Sequence, residues 1–142
     1  MNINQDQSSK YLEEAELTLL AAEAVFKRAK DERRQLWANV VKSCYDCMEQ
    51  ALSSALASRG EVIPREHPAK VKLFINLFRP SEDLKQKIFF WLGRRARAQY
   101  VDMVGDKLYV PHELFTKDDA EKALTDCRHV LKKIKEYILN HK

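Results

Sequence analysis

The sequence predicts an all-α protein, an up-and-down bundle of about five helices in a single domain. Glycine (3) and proline (4) are scarce in 142 residues, too few for the tight turns that a sandwich, barrel or α/β fold of this length would need. Apolar residues recur at alternating spacings of three and four, the helical period, in successive segments separated by short breaks. A hydrophobic share of 45% against a charged share of 32% supplies both a core and a soluble surface, and the length suits one core.

Residues 1–8 read as a polar tail and residues 9–142 as the domain. In the first helix, from about Ser9 to Asp31, Leu12, Ala15, Leu19, Ala22, Phe26 and Ala29 share one face. Glu13, Glu14, Glu16 and Glu23 come before Lys27, Arg28 and Lys30 on the other faces, the order that the helix dipole favours. Leu36, Val40, Cys44, Cys47, Met48, Ala51, Ala55 and Leu56 repeat the period in the most apolar segment, the expected central helix, which Arg59-Gly60 ends. Pro64 and His67-Pro68 mark a loop that opens a short helix through Val71, Phe74, Ile75 and Phe78, closed by Arg79-Pro80. Ser81 is the expected cap of a fourth helix, which runs through Leu84, Ile88, Trp91 and Leu92 into Arg94, Arg95, Arg97 and Tyr100. The period then fails from Val101 to Phe115. Gly105-Asp106 marks a turn there, and Leu108-Tyr109-Val110 is a small extended piece. Thr116 caps a last helix whose stripe is Ala120, Ala123, Leu124, Cys127, Val130, Leu131, Ile134, Tyr137 and Ile138.

The formal net charge of +4 is only mildly basic, which leaves a local basic face open but does not demand a dedicated duplex-DNA binder. No apolar run reaches the roughly 18 residues of a membrane span, and the polar start lacks the basic and apolar regions of a signal peptide. Three cysteines are an odd number and too few for a disulfide scaffold. These observations place the protein in the cytoplasm, away from membranes.

Cys44-Tyr45-Asp46-Cys47 has the CxxC spacing of thiol chemistry, yet it lies mid-helix on an apolar face with no second pair, so core packing is the stronger reading. Asp46 and Glu49 lack a partner carboxylate pair and read as solvated or structural. No GxSxG, P-loop or HExxH pattern is present. The most informative stretch runs from Phe89 to Tyr100, where Arg94, Arg95 and Arg97 sit among aromatics. Arginine forks grip phosphates and aromatic faces stack on bases; arginines at a helix end also serve the dipole and cover apolar surface with their stems. His67 and His112, both beside prolines, read first as turn or capping residues.

The run from Ala38 to Leu52, followed by Gly60 and His67, resembles the HEPN (higher eukaryotes and prokaryotes nucleotide-binding) domain. Arg97-Ala98-Gln99-Tyr100-Val101-Asp102, Tyr109 and Lys117 to Ala123 are similar to that family's arginine, tyrosine-aspartate and final-helix pattern, so that the resemblance covers about Leu12 to Ile138. It implies a helical bundle, often a homodimer, often encoded beside a small nucleotidyltransferase in toxin–antitoxin modules, with no cofactor or metal. Many members are metal-independent RNases in which a histidine follows an arginine after four to six residues. Here Asp102, Met103 and Val104 stand at those distances from Arg97, and no other arginine has a histidine in that window. Without the imidazole there is no evident general acid or base.

The sequence therefore favours a non-catalytic module that binds a nucleotide, an RNA or a partner nucleotidyltransferase. Arg94, Arg95, Arg97, Tyr100, Asp102 and His67 are its candidate binding residues. Two rivals remain: an RNase whose histidine, His67 or His112, is brought to Arg97 by the fold, and a pure protein-interaction module with no nucleic-acid affinity.

Overall fold

Residues 2–140 are described by a computed structural model. Three long helices build the scaffold: α1 (Ile3–Glu32), α2 (Trp37–Ser58) and α7 (Lys117–Asn140). The four residues between α1 and α2 return the chain directly, so these helices run antiparallel, and the Ser8–Ser54 pair joins the start of one to the end of the other. Ion pairs Glu23–Arg128 and Glu16–Lys135 put α7 antiparallel to α1. Enclosed between them, α2 carries the largest buried set, including Val40, Tyr45, Met48, Leu52 and Leu56. The expected all-α bundle and its central helix are observed.

Four shorter helices, α3 (His67–Phe78), α4 (Glu82–Leu92), α5 (Arg95–Gln99) and α6 (Pro111–Leu114), complete seven helices among the described residues. Ser81 caps α4 by accepting from the Leu84 N–H at 3.2 Å. Thr116 caps α7, its hydroxyl accepting from the Asp119 N–H while Asp119 accepts from the Thr116 N–H. Trp91 of α4 donates its indole N–H to Asp126 of α7 at 2.9 Å, which satisfies two buried polar groups together.

The structure departs from the sequence reading in three places. Residues 3–8 are not a tail: α1 begins at Ile3, where Asn2 accepts from the Gln5 N–H at 2.9 Å and Gln5 accepts from the Asn2 N–H, a capping box. Ser8 is buried against Ser54, with hydroxyl–carbonyl bonds of 2.8 and 2.7 Å in both directions. The fourth helix is not continuous. It ends at Leu92, and the Arg94 N–H makes a tight bond to Trp91 O before α5 begins, as suits Gly93, a residue about 1 kcal/mol worse than alanine inside a helix. The extended piece is half of a hairpin, β1 (Asp102–Val104) against β2 (Lys107–Tyr109), with Met103 opposite Leu108. Gly105 makes the turn with φ +62°.

Candidate functional site

The arginine-rich segment does not form one groove. Its three arginines enter three different surroundings, Arg94 in the break between α4 and α5 and Arg95 and Arg97 on different sides of α5. Arg94 folds back onto α4, its guanidinium 3.4 Å from the Phe90 ring centre and donating to Phe90 O at 2.9 Å. Arg95 turns inward, its Nε buried, close enough to the buried Tyr45 for its charge to act on the phenol. Arg97 faces the hairpin, 5.7 Å from the Tyr109 ring centre. On a helix, positions 95 and 97 lie about 200° apart, so this split follows from geometry.

Arg97, Tyr100 and Asp102 come together. With Ala96, Val101, Val104 and Tyr109 they line an open cleft of about 320 Å³ between α5 and the hairpin, at the small end of the range for ligand pockets. The cleft offers one cation, one carboxylate and two phenol rings on mostly apolar walls. Chemically, such a lining can hold a phosphate at Arg97, stack a ring on tyrosine and accept a hydrogen bond at Asp102. A larger hollow of about 660 Å³ lies between the start of α1 and the end of α7. It is lined by polar side chains such as Asn2, Gln5 and Ser8, by the Glu16–Lys135 ion pair and by Leu12, Ile138 and Leu139, among the described residues with neither arginine nor aromatic ring, so the combination of an arginine with stacking faces belongs to the smaller cleft.

His67 lies in a different cluster, built from α2 and α3. Its Nδ1 bonds the Glu49 carboxylate, whose other oxygen accepts from Lys70 Nζ at 2.9 Å. Burial pushes the Glu49 acid upward, but the bonds from Lys70 and His67 outweigh it and hold the group below its ordinary range. The carboxylate therefore stays ionised and fixes the partly exposed imidazole with Nδ1 as donor. Tyr45 packs edge-on against that imidazole; burial, then the Glu49 charge, drives its phenol upward, so it remains neutral. The Tyr45 hydroxyl, Gln50 Oε1, Arg95 Nε and Gln99 Oε1 are buried without a hydrogen-bond partner among the described residues. His112 is exposed on α6, which packs against α5, beside Glu113. Among the described residues no histidine lines the cleft, so neither His67 nor His112 is brought into it.

Cys44, Cys47 and Cys127 are free and buried. The hydrogen bond to Cys127, then burial, pushes the Cys47 thiol up, and the bond to Cys44 does the same for Cys127; protonated thiols are poor nucleophiles and poor ligands. Core packing is their role. Among the described residues, no three or more His, Cys, Asp or Glu side chains are grouped to hold a metal.

Sequence reasoning undervalued Glu49 and passed over Lys70. A signal was available: Glu49 stands one turn from Tyr45 on a helix whose neighbouring positions Met48 and Leu52 are core, and a carboxylate there requires partners.

The HEPN domain profile matches residues 8–137 of the sequence. No curated protein matches it. Among solved structures, the crystal structure of an archaeal HEPN homologue superimposes with a TM-score of 0.71 at 21% identity, covering 93% of this chain and 98% of the other. At that identity the likeness concerns the fold.

Proposed function

The chain belongs to the HEPN domain family, and from that premise we propose that it is a non-catalytic HEPN module that binds a nucleotide, free or within RNA, in the cleft between α5 and the hairpin. One observation carries this reading. Of the six candidate residues, Arg97, Tyr100 and Asp102 converge on one cleft with Tyr109, and together they supply an anion donor, stacking faces and a polar acceptor. The wall is open, and among the described residues neither His67 nor His112 lines it, which supports binding without an acid–base step from them. Arg94 and Arg95 act outside this cleft, one as a cover on Phe90 and one as an inward polar anchor.

A second reading rests on the hairpin. Val101, Met103, Val104 and Leu108 are each more than half exposed, an apolar rim that suits docking of a protein such as a nucleotidyltransferase, as in a toxin–antitoxin pair. Among the described residues, no helix is long and apolar enough to cross a membrane.

The test is retention of end-labelled single-stranded RNA and of a fluorescent mononucleotide at low and high salt, with Arg97→Ala and His67→Ala alongside. The expected result is salt-sensitive binding without cleavage, weakened roughly tenfold in Arg97→Ala, as for loss of a charged hydrogen bond of about 1.5 kcal/mol. Cleavage abolished by His67→Ala would replace the binding module with an enzyme. Absence of both binding and cleavage would shift the function to the protein partner.

A further inference from the structure

Where α2, α3 and α5 meet, the chain leaves hydrogen-bond donors unused beside an excess of positive charge. The Tyr45 side chain is wholly buried, and its hydroxyl has no hydrogen-bond partner among the described residues. Burial and the Glu49 charge keep that phenol protonated, so it is a donor with nothing to donate to. Arg95 reaches the same place from α5: its charge acts on the phenol, and its buried Nε is likewise unpaired. Gln99, one turn further along that face of α5, adds a third buried atom without a partner. From α3, Lys70 and His67 close the group through Glu49, the side chains of Lys70 and Glu49 being only 12% and 13% exposed.

Two permanent cations, Lys70 and Arg95, face a single carboxylate there, and protonation of His67 adds a further positive charge. Asp46 also acts on the phenol, but its carboxylate is held by Lys42 at 3.1 Å. Among the described residues no carboxylate pairs with Arg95. The start of α3 adds to the same sign: it begins at His67 with no acidic residue in its first turn and no side-chain cap, so its first N–H groups keep their partial positive charge. Excess positive charge and unused donors in a half-buried place both cost stability, and one bound anion removes both defects. A water molecule would satisfy the donors and leave the charge uncompensated.

We propose that this junction binds a compact oxyanion, a phosphate group held by the Tyr45 hydroxyl, the Arg95 guanidinium and the Lys70 ammonium. Lys70 uses one of its three N–H groups on Glu49 and has donors left, and Gln99 offers either amide atom by rotation. Donors arriving from three helices suit a tetrahedral group with several oxygens better than a planar carboxylate. With Tyr45 wholly buried and Lys70 nearly so, the part admitted is small: a free ion, or the phosphate end of a longer molecule. Arg97 and its cleft lie on another side of α5, so this site is separate from the proposed nucleotide site and does not depend on it.

Thermal unfolding and calorimetric titration of the full chain with sodium phosphate test this, against sodium chloride at matched ionic strength. Phosphate should bind once per chain and raise the unfolding midpoint, because a ligand of the folded state alone stabilises it. Tyr45→Phe deletes the unpartnered hydroxyl and keeps the buried ring. Without phosphate this variant should be no less stable than the wild type, and its phosphate affinity should fall on the order of tenfold. Arg95→Met keeps the stem, removes the charge and should abolish the midpoint shift. Glycerol phosphate separates the two sources: affinity equal to that of the free ion assigns a phosphate carried on a larger molecule, and its exclusion assigns the free ion. A midpoint that phosphate moves no further than chloride does would overturn the proposal and leave water as the occupant. Phosphate binding that survives Tyr45→Phe and is lost in Arg97→Ala would overturn it as well, placing the anion in the α5 cleft.

Discussion

The α2-centred core and the α5–hairpin end are built from the same chain under opposite rules. Around α2 the apolar residues are buried and close-packed, and several of the polar groups admitted there, such as Ser8 with Ser54 and Trp91 with Asp126, are bonded to one another. At the α5 end, apolar residues of the hairpin face solvent, helices shrink to four and five residues, and buried polar atoms on Arg95 and Gln99, together with those of Tyr45 and Gln50 on α2, have no partner among the described residues. A region that leaves apolar surface and hydrogen-bonding capacity unspent is not optimised for stability, and such places are where binding sites are drawn from. The difference teaches that the first region holds the fold and the second is free to contact something else.

That division predicts a ranking of substitutions by stability. The largest effect should come from Leu52→Ala in α2, a fully buried side chain, costing about 2–5 kcal/mol in chemical denaturation; a loss below about 1 kcal/mol would show that the core is looser than its burial indicates. Next comes Asp126→Ala, which strands the Trp91 N–H and should cost about 1–3 kcal/mol. The Glu49 cluster sits between the two regions and should give a smaller, pH-dependent effect. Its folded acid lies below the ordinary range, so the stabilisation is fully present above the unfolded carboxylate value and is lost as pH falls through the lower folded value. Acid-side denaturation of Glu49→Gln should accordingly be flatter with pH than that of the wild type. The smallest effect belongs to Met103→Ser with Leu108→Ser on the hairpin, within about 0.5 kcal/mol. If that pair proved as costly as Leu52→Ala, the contrast between scaffold and binding end would fail.

Legibility in the sequence followed the same line. The three long helices, the Ser81 and Thr116 caps and the central place of the Cys44–Leu56 segment were readable because burial imposes a helical period on the residues themselves. The start of α1 was missed because its evidence is polar: an Asn2–Gln5 capping box and a Ser8–Ser54 bond leave no apolar period to follow. The α5 end was legible in residue type and not in arrangement. Arginine and tyrosine marked the segment, yet the break at Gly93 sets Arg94 apart from α5 and the helical phase of α5 sends Arg95 and Arg97 to different sides, so that the three enter three surroundings. His67 was flagged without its partner, since Glu49 lies 18 positions earlier and only the packing of α3 on α2 joins them.

The proposed nucleotide site is the cleft of Arg97, Tyr100, Asp102 and Tyr109. Titration of isotope-labelled protein with adenosine monophosphate, followed by backbone amide NMR, addresses it residue by residue. The account predicts progressive, saturable shifts at residues 96–104 and 107–109, silence along α2, and loss of the shifts in Arg97→Ala. Shifts confined to another face, or a spectrum unchanged at millimolar nucleotide, would contradict it.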